Sequence, residues 1–343
     1  MKRTAIPPRE NDPEISIVIP LYNAKNTINA CLKSIFAQTF QDFEVVIVDD
    51  CSTDGSLDFI REKYPDPRIR IFQHTRNLNE SATTEFGFCV SRGKYILIVH
   101  NDDVILENTL EIYHNAAEES GADVVLMNAR YETKTPELDF PAVVAARKDI
   151  AKNPTPRFFP DKLIDRLQVE YLRRSTHWEP WTRFMRRDFI CRSGVYFPKD
   201  VWSGDRIFFL GVICLAKKIQ VINACTYIYR RHPGQTVNLD EDRRLKSAFT
   251  SLPIVLKYFQ DLQKSPHIVS QLDPVQQRYM EVNIMMDYFD LTISGPNSTK
   301  NIEQFSEVLR EIVILPEMID PNLMLVIFNM LMTRFVMMRN VRS

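Results

Sequence analysis

The stretch Val45-Val46-Ile47-Val48-Asp49-Asp50-Cys51-Ser52-Thr53-Asp54-Gly55 decides how this chain folds. Four consecutive branched apolar residues offer no polar face. A strand built from them must be covered on both sides, as strands of parallel sheets are. The run stops at two adjacent acids, and the Ser-Thr-Asp-Gly that follows carries the chemistry of a tight turn leading into a capped helix. Working outward, the same unit recurs. Residues 15–19 are an apolar run ended by Pro20, followed by apolar residues at helical spacing from Thr27 to Phe36. Residues 56–64 read as a helix, 69–72 as a third strand, and 82–90 as a helix that ends at Gly93. Residues 95–99 form a fourth apolar run, ended by His100-Asn101-Asp102-Asp103; a helix over 110–118 and a strand over 124–127 follow. Apolar strands separated by helices predict an α/β fold with a mostly parallel sheet flanked by helices.

In such sheets ligands bind beyond the carboxyl ends of the strands. Here those ends carry Pro20-Leu21-Tyr22-Asn23, Asp49-Asp50-Cys51-Ser52, residues 74–79 and His100-Asn101-Asp102-Asp103. Adjacent carboxylates at a strand end repel unless a cation or hydrogen-bond donors lie between them. Oxygen ligands of this kind suit Mg²⁺ or Mn²⁺, which also bridge to phosphate oxygens. The alternative is a solvated pair capping the next helix. Asp50 would face the same crevice as Asp103. Asp54 and Gly55 read as turn residues only.

Three blocks together resemble family 2 glycosyltransferases: Val18-Ile19-Pro20-Leu21-Tyr22-Asn23, then Val46 through Gly55, then Gly93-Lys94-Tyr95-Ile96 running into Asn101-Asp102-Asp103. The close resemblance covers about residues 14–130 and continues more weakly to about 238. It implies a GT-A (Rossmann-like) fold, a nucleotide-sugar donor, Mn²⁺ or Mg²⁺, and transfer with inversion. Pro20, Tyr22 and Asn23 would line the nucleoside pocket and Asp50 would accept from the base, usually uracil. Asp102 would contact the ribose, and Asp103 would bind the metal that holds the diphosphate. An inverting transfer needs one general base. The family's acidic pair is replaced by Gly204-Asp205 within Trp202-Ser203-Gly204-Asp205-Arg206-Ile207-Phe208-Phe209, which leaves Asp205 as the expected base. The alternative for Asp205 is a first-turn helix acid. Tyr229-Arg230-Arg231-His232 resembles the segment that closes the donor site, so Arg230 or His232 would reach the diphosphate or the metal; a solvated strand end is the alternative.

The sequence departs from the family after the third strand. Glu80 stands for a glycine, Thr84 for an arginine and Glu85 for an asparagine, which removes a basic donor contact and brings two acids near a phosphate site. His100 is also unusual and would tune the metal or fill space. Trp178, Trp181 and Trp202 are acceptor-stacking candidates or core residues, and Arg183, Arg186 and Arg187 are expected on an exposed helix face.

Composition bounds the rest. With 43 basic and 44 acidic residues the chain lacks the basic surplus of a nucleic-acid binder. No glycine-rich dinucleotide fingerprint or P-loop occurs. The six cysteines show no C-x-x-C spacing, four of them sit in apolar stretches, and they read as reduced core thiols of a cytoplasmic protein. The basic start lacks an apolar core, so no secretory signal is expected, and no apolar run reaches the roughly 18–20 residues that span a bilayer. The expected organisation is a lead over 1–13 and a GT-A domain over 14–238. That domain divides into a nucleotide-sugar-binding half (14–130), an irregular loop (131–165) and an acceptor and base half (166–238). A helical region over 239–343 completes the chain. Residues 321–343 hold five methionines, three arginines and no acid. They read as an interfacial helix at the inner face of a membrane, or as a helix packed on the catalytic domain or on a homodimer partner.

The activity expected is transfer from a UDP-sugar to a glycan, lipid-linked or protein-linked acceptor in polysaccharide biosynthesis. The competing readings are a catalytically silent nucleotide- or glycan-binding relative and, less well supported, a nucleotidyltransferase.

Overall fold

The computed structural model describes residues 9–127, 131–133, 163, 183–199, 201, 204–222, 224, 226–230 and, with gaps at 252, 253, 256 and 275, residues 251–277. The chain divides into two compact units, one of Met1–Asp200 with Gly204–Asn238 and one of Val201–Ser203 with Leu239–Ser343.

In the first unit β1 (Ile15–Leu21) and β2 (Phe43–Asp49) are buried along their whole length. Covering them are α1 (Ile28–Phe36), α2 (Ser56–Lys63) and α3 (Asn79–Val90). β3 (Ile69–Gln73), β4 (Tyr95–Ile98), β6 (Val124–Met127), β8 (Arg183–Arg186) and β9 (Ile219–Ile222) complete a sheet of order β3-β2-β1-β4-β8-β6-β9. The pairs β2–β3, β1–β2, β1–β4 and β6–β9 are parallel, whereas β8 runs antiparallel to both β4 and β6. The expected mostly parallel α/β sheet is therefore present. The parallel order puts the carboxyl ends of β1 to β4 on one edge, with β1 between β2 and β4.

A second sheet of order β5-β10-β7 sits at that same end, built from β5 (Val104–Ile105), β7 (Tyr131–Thr133) and β10 (Tyr227–Arg230). It pins the segment after the acidic pair to the end of the domain. The remaining elements of this unit are α4 (Thr109–Ser120), α5 (Arg187–Ser193) and α6 (Gly204–Leu215).

α1 buries Ile28, Cys31, Leu32 and Ile35 at helical spacing, each apolar side chain contributing about 1.5–3 kcal/mol on burial. α3 approaches β1 more closely than any side chain there would permit. A β-carbon at Gly87 would lie 2.4 Å from Val18 Cγ1. That close seat aims the first turn of α3 along the strand ends.

Four expectations need correction. Arg183, Arg186 and Arg187 do not form an exposed helix face. Arg183 and Arg186 lie on β8, and Arg187 opens α5. Arg183 is fully buried with its guanidinium carbon 3.5 Å from the Phe209 ring centroid, and Arg187 is buried and donates from Nε to the Gly93 carbonyl at 2.8 Å. A planar guanidinium stacked on an aromatic ring tolerates burial that an ammonium would not. Second, 131–133 is not irregular but the strand β7, paired parallel to β10. Third, α3 begins not at 82 but at Asn79, whose own backbone holds φ 69. Fourth, of the five described cysteines only Cys31 and Cys214 are core residues; Cys51 and Cys191 are partly buried and Cys89 is exposed.

In the second unit residues 257–263 are helical and a short turn of helix spans Pro266–Val269, with Val255, Tyr258, Phe259 and Ile268 buried. No helix among the described residues is long and apolar enough to cross a membrane. Trp178, Trp181, Trp202, Cys225, His232 and residues 321–343 lie outside the described residues.

Candidate active site

The strand ends are knitted together before any ligand is considered. Asn101 Nδ2 donates to the Pro20 carbonyl at 2.9 Å, which ties the end of β4 to that of β1. The loops after β1 and β2 interlock. Asn23 N–H donates to Ser52 Oγ and Thr53 N–H donates to Asn23 Oδ1, both at 2.9 Å, while Lys25 N–H donates to Asp54 at 2.8 Å. Two residues of these loops, Asn23 and Cys51, hold left-handed backbones (φ 48 and 68). Asparagine tolerates this conformation, whereas cysteine adopts it only when its surroundings impose it. Tyr22 projects outward at 52% exposure, and Pro20 is buried.

Asp50 is 3% exposed at the end of β2. Its Oδ1 accepts the Leu78 N–H at 2.8 Å and lies 3.0 Å from His74 Nδ1, so it anchors the loop that leads into α3. Asp49 holds the other side of the turn, accepting from Gln73 Nε2 at 3.0 Å and from Ser52 N–H.

The acidic pair after β4 divides into two environments. Asp103 is fully buried. Its Oδ2 accepts from the Tyr227 hydroxyl at 2.7 Å and its Oδ1 from the Arg230 N–H at 2.9 Å. Burial and the neighbouring Asp102 charge nevertheless push its pKa up to about 7, against the pull of His100, Arg230 and Tyr227. Asp102 stays partly exposed, and its carbonyl accepts from Arg230 Nε. His100 Nε2 lies 3.1 Å from Glu80 Oε1. Burial lowers the imidazole pKa, but the Glu80 charge and hydrogen bond outweigh it and raise the pKa to about 9.

His100, Asp102 and Asp103 each bring a ligand atom within 4.8 Å of the others. Two carboxylates of which one is partly exposed, with an imidazole beside them, fit a hard divalent cation that keeps several waters. A second such group, Glu14, His114 and Glu118, lies elsewhere, where Glu118 is already taken up by Lys94 and Tyr95.

Of the residues singled out in the sequence, Pro20, Asn23, Asp50, Asp102, Asp103 and Arg230 thus belong to one edge of the sheet. Asp205 lies in the first turn of α6, partly buried. The departures separate. Thr84 is buried within α3, and Glu85 accepts the Phe197 N–H at 3.1 Å, so these two act in packing rather than at a phosphate. Glu80 alone reaches the acidic cluster. Sequence reading placed His74 on the ligand edge without a role and gave none to Tyr227 or Ser81. Tyr227 had a faint signal, a tyrosine alternating with Tyr229 on a short strand that leads to Arg230.

The sequence model of "Glycosyl transferase family 2" matches residues 16–188. The chain belongs to this family. As a family 2 glycosyltransferase it is 26% identical over 285 residues to glycosyltransferase GlyG of Streptococcus pneumoniae, covering 80% of this chain and 87% of GlyG. It is 36% identical over 119 residues to the poly(ribitol-phosphate) beta-glucosyltransferase of Bacillus spizizenii, a match that covers 33% of this chain and 18% of that protein. In fold it is similar to S. aureus TarS 1–349, with a TM-score of 0.64 and 18% identity over 86% of this chain and 79% of that one. The same TarS fragment in complex with UDP and with UDP-GlcNAc matches at TM-scores of 0.57 and 0.54. The fold is therefore that of the GT-A glycosyltransferases, and the enzyme class is glycosyltransferase.

Proposed function

We propose that this glycosyltransferase moves a sugar with inversion from a UDP-sugar to a glycan, lipid-linked or protein-linked acceptor, with Mn²⁺ or Mg²⁺ bound. The observation that carries this reading is the acidic cluster after β4, held by Tyr227 and Arg230, on the same sheet edge as Asp50. UDP and UDP-GlcNAc in the complexes of the TarS relative support the choice of donor.

In this reading Pro20, Tyr22 and Asn23 border the nucleoside and Asp50 holds the loop against which the base lies. A divalent cation would be held at the acidic pair. Asp102 offers the accessible carboxylate, and Asp103, with both oxygens already accepting hydrogen bonds, orients the strand end and adds charge from beneath. A divalent cation there would neutralise the charge that builds on the departing diphosphate. Arg230, fixed to the Asp102 carbonyl, keeps positive charge beside the same oxygens. Asp205 takes the proton of the acceptor hydroxyl as that oxygen attacks the anomeric carbon.

Calorimetric titration of UDP with and without Mn²⁺, on the wild type and Asp102→Asn, tests the donor site. Metal-dependent binding that weakens at least tenfold in the variant is expected. Equal UDP binding with and without metal in both proteins sinks the assignment. Turnover abolished in Asp205→Asn with UDP binding intact separates the enzyme from a silent nucleotide-binding relative.

A further inference from the structure

The first turn of α3 touches two other parts of the crevice. Glu80 places Oε1 3.1 Å from His100 Nε2, beside Asp102 and Asp103. The next residue, Ser81, packs against Gly204. A β-carbon at 204 would lie 2.6 Å from Ser81 Oγ and 3.4 Å from the Pro198 carbonyl oxygen. Gly204 opens α6, and Asp205 follows it. One helical turn thus spans the gap between the acidic cluster and the segment that carries Asp205. The glycine at 204 is what lets the two helices come so close. Glu80 keeps 55% of its side chain accessible although it reaches His100.

We infer that Glu80 contacts the transferred sugar and selects neutral hexosyl donors over hexuronosyl ones. The inference rests on the donor-site reading above. With the diphosphate at the acidic cluster and the acceptor hydroxyl at Asp205, the sugar that passes between them lies along this turn of α3. A carboxylate there accepts hydrogen bonds from the O–H groups of ring hydroxyls. The same carboxylate, even with His100 offsetting part of its charge, disfavours the acid group of a uronosyl ring. Glu80 and Gly204, two departures read separately in the sequence, meet on one turn of α3: Glu80 reaches His100, and the next residue, Ser81, takes the space that Gly204 leaves on α6.

The test titrates UDP, UDP-glucose, UDP-galactose, UDP-GlcNAc and UDP-glucuronate, each with Mn²⁺, into the wild type, Glu80→Gln and Glu80→Asp. In the wild type the best neutral donor should bind at least about tenfold more tightly than UDP-glucuronate. Glu80→Gln should narrow that gap by about tenfold and Glu80→Asp should keep most of it, whatever shift losing the His100 partner imposes on UDP and all donors alike. A gap unchanged in Glu80→Gln overturns the inference. So does a loss of UDP affinity that equals the loss for every donor, because Glu80 would then act on the cation cluster through His100. A wild type that binds none of the probes removes the donor reading itself, a result distinct from either.

Discussion

Two regions of the same sheet bury charge in opposite ways. At the carboxyl edge of β1 to β4, Asp50 and Asp103 are buried acids whose partners are backbone N–H groups, a tyrosine hydroxyl and a histidine. On β8, a few residues away across the sheet, Arg183 is a buried cation laid flat on Phe209. The edge keeps its charge poised for a ligand, and Asp103 titrates near neutrality as a result. The strand uses its charge as packing material, with a long apolar stem and a weakly hydrated head. One region gives up stability to hold a site, and the other converts charge into stability. The difference is what the buried group rests on: hydrogen-bond donors and, for Asp103, the Asp102 charge at the edge, against an aromatic ring on the strand.

Replacing Asp205 with asparagine should sharpen the contrast most. Activity is expected to fall by about 10²–10⁴-fold with little change in melting temperature, as read by donor turnover beside a thermal melt. Unchanged turnover would remove Asp205 from the chemistry.

Arg183→Ala should do the reverse, lowering stability by about 3 kcal/mol in denaturant melts while the protein that remains folded keeps its UDP affinity. A variant as stable as the wild type would mean that the stack on Phe209 contributes nothing.

Gly87→Ala probes the junction of the two regions, because it pushes α3 off β1. We expect a loss of about 1–3 kcal/mol from overpacking against Val18, together with weaker UDP binding. Full stability in the variant would show that α3 can shift at no cost.

The smallest effect concerns pH. Asp103 has a folded pKa raised to about 7 from an ordinary value of 3.8, so the folded state holds its proton more tightly than the unfolded chain does. Its contribution to stability is full below about pH 4 and is lost as pH rises through about 7. Relative to Asp103→Asn, the chelator-treated wild type should therefore melt a few degrees lower at pH 8 than at pH 5, and Mn²⁺ should offset the drop at pH 8. A parallel pH profile in the two proteins would contradict the raised pKa.

Much of this was legible in advance. Continuous apolar runs such as Val45-Val46-Ile47-Val48 announce strands covered on both faces, and the acids that end them announce the ligand edge. β8 was not legible, because Arg-Phe-Met-Arg has the composition of a surface helix and its burial depends on Phe209, 26 residues away. Nor was β7, three residues whose pairing with β10 joins segments almost a hundred residues apart. The separate fates of Glu80 and Glu85 were hidden for the same kind of reason. They share a helix but face different partners, His100 for one and the Phe197 backbone for the other.

By itself the sequence determined the alternation of strand and helix, the position of the acidic edge and, through three motif blocks, the family. These are local or periodic properties, set by side-chain chemistry within a dozen residues. Only the tertiary structure decided which acid of the pair stays accessible, that Tyr227 and Arg230 hold the other, and that Gly204 and Ser81 bring α3 against α6. Each depends on groups distant in the chain meeting at the ends of strands, where spacing along the sequence carries no information about contact.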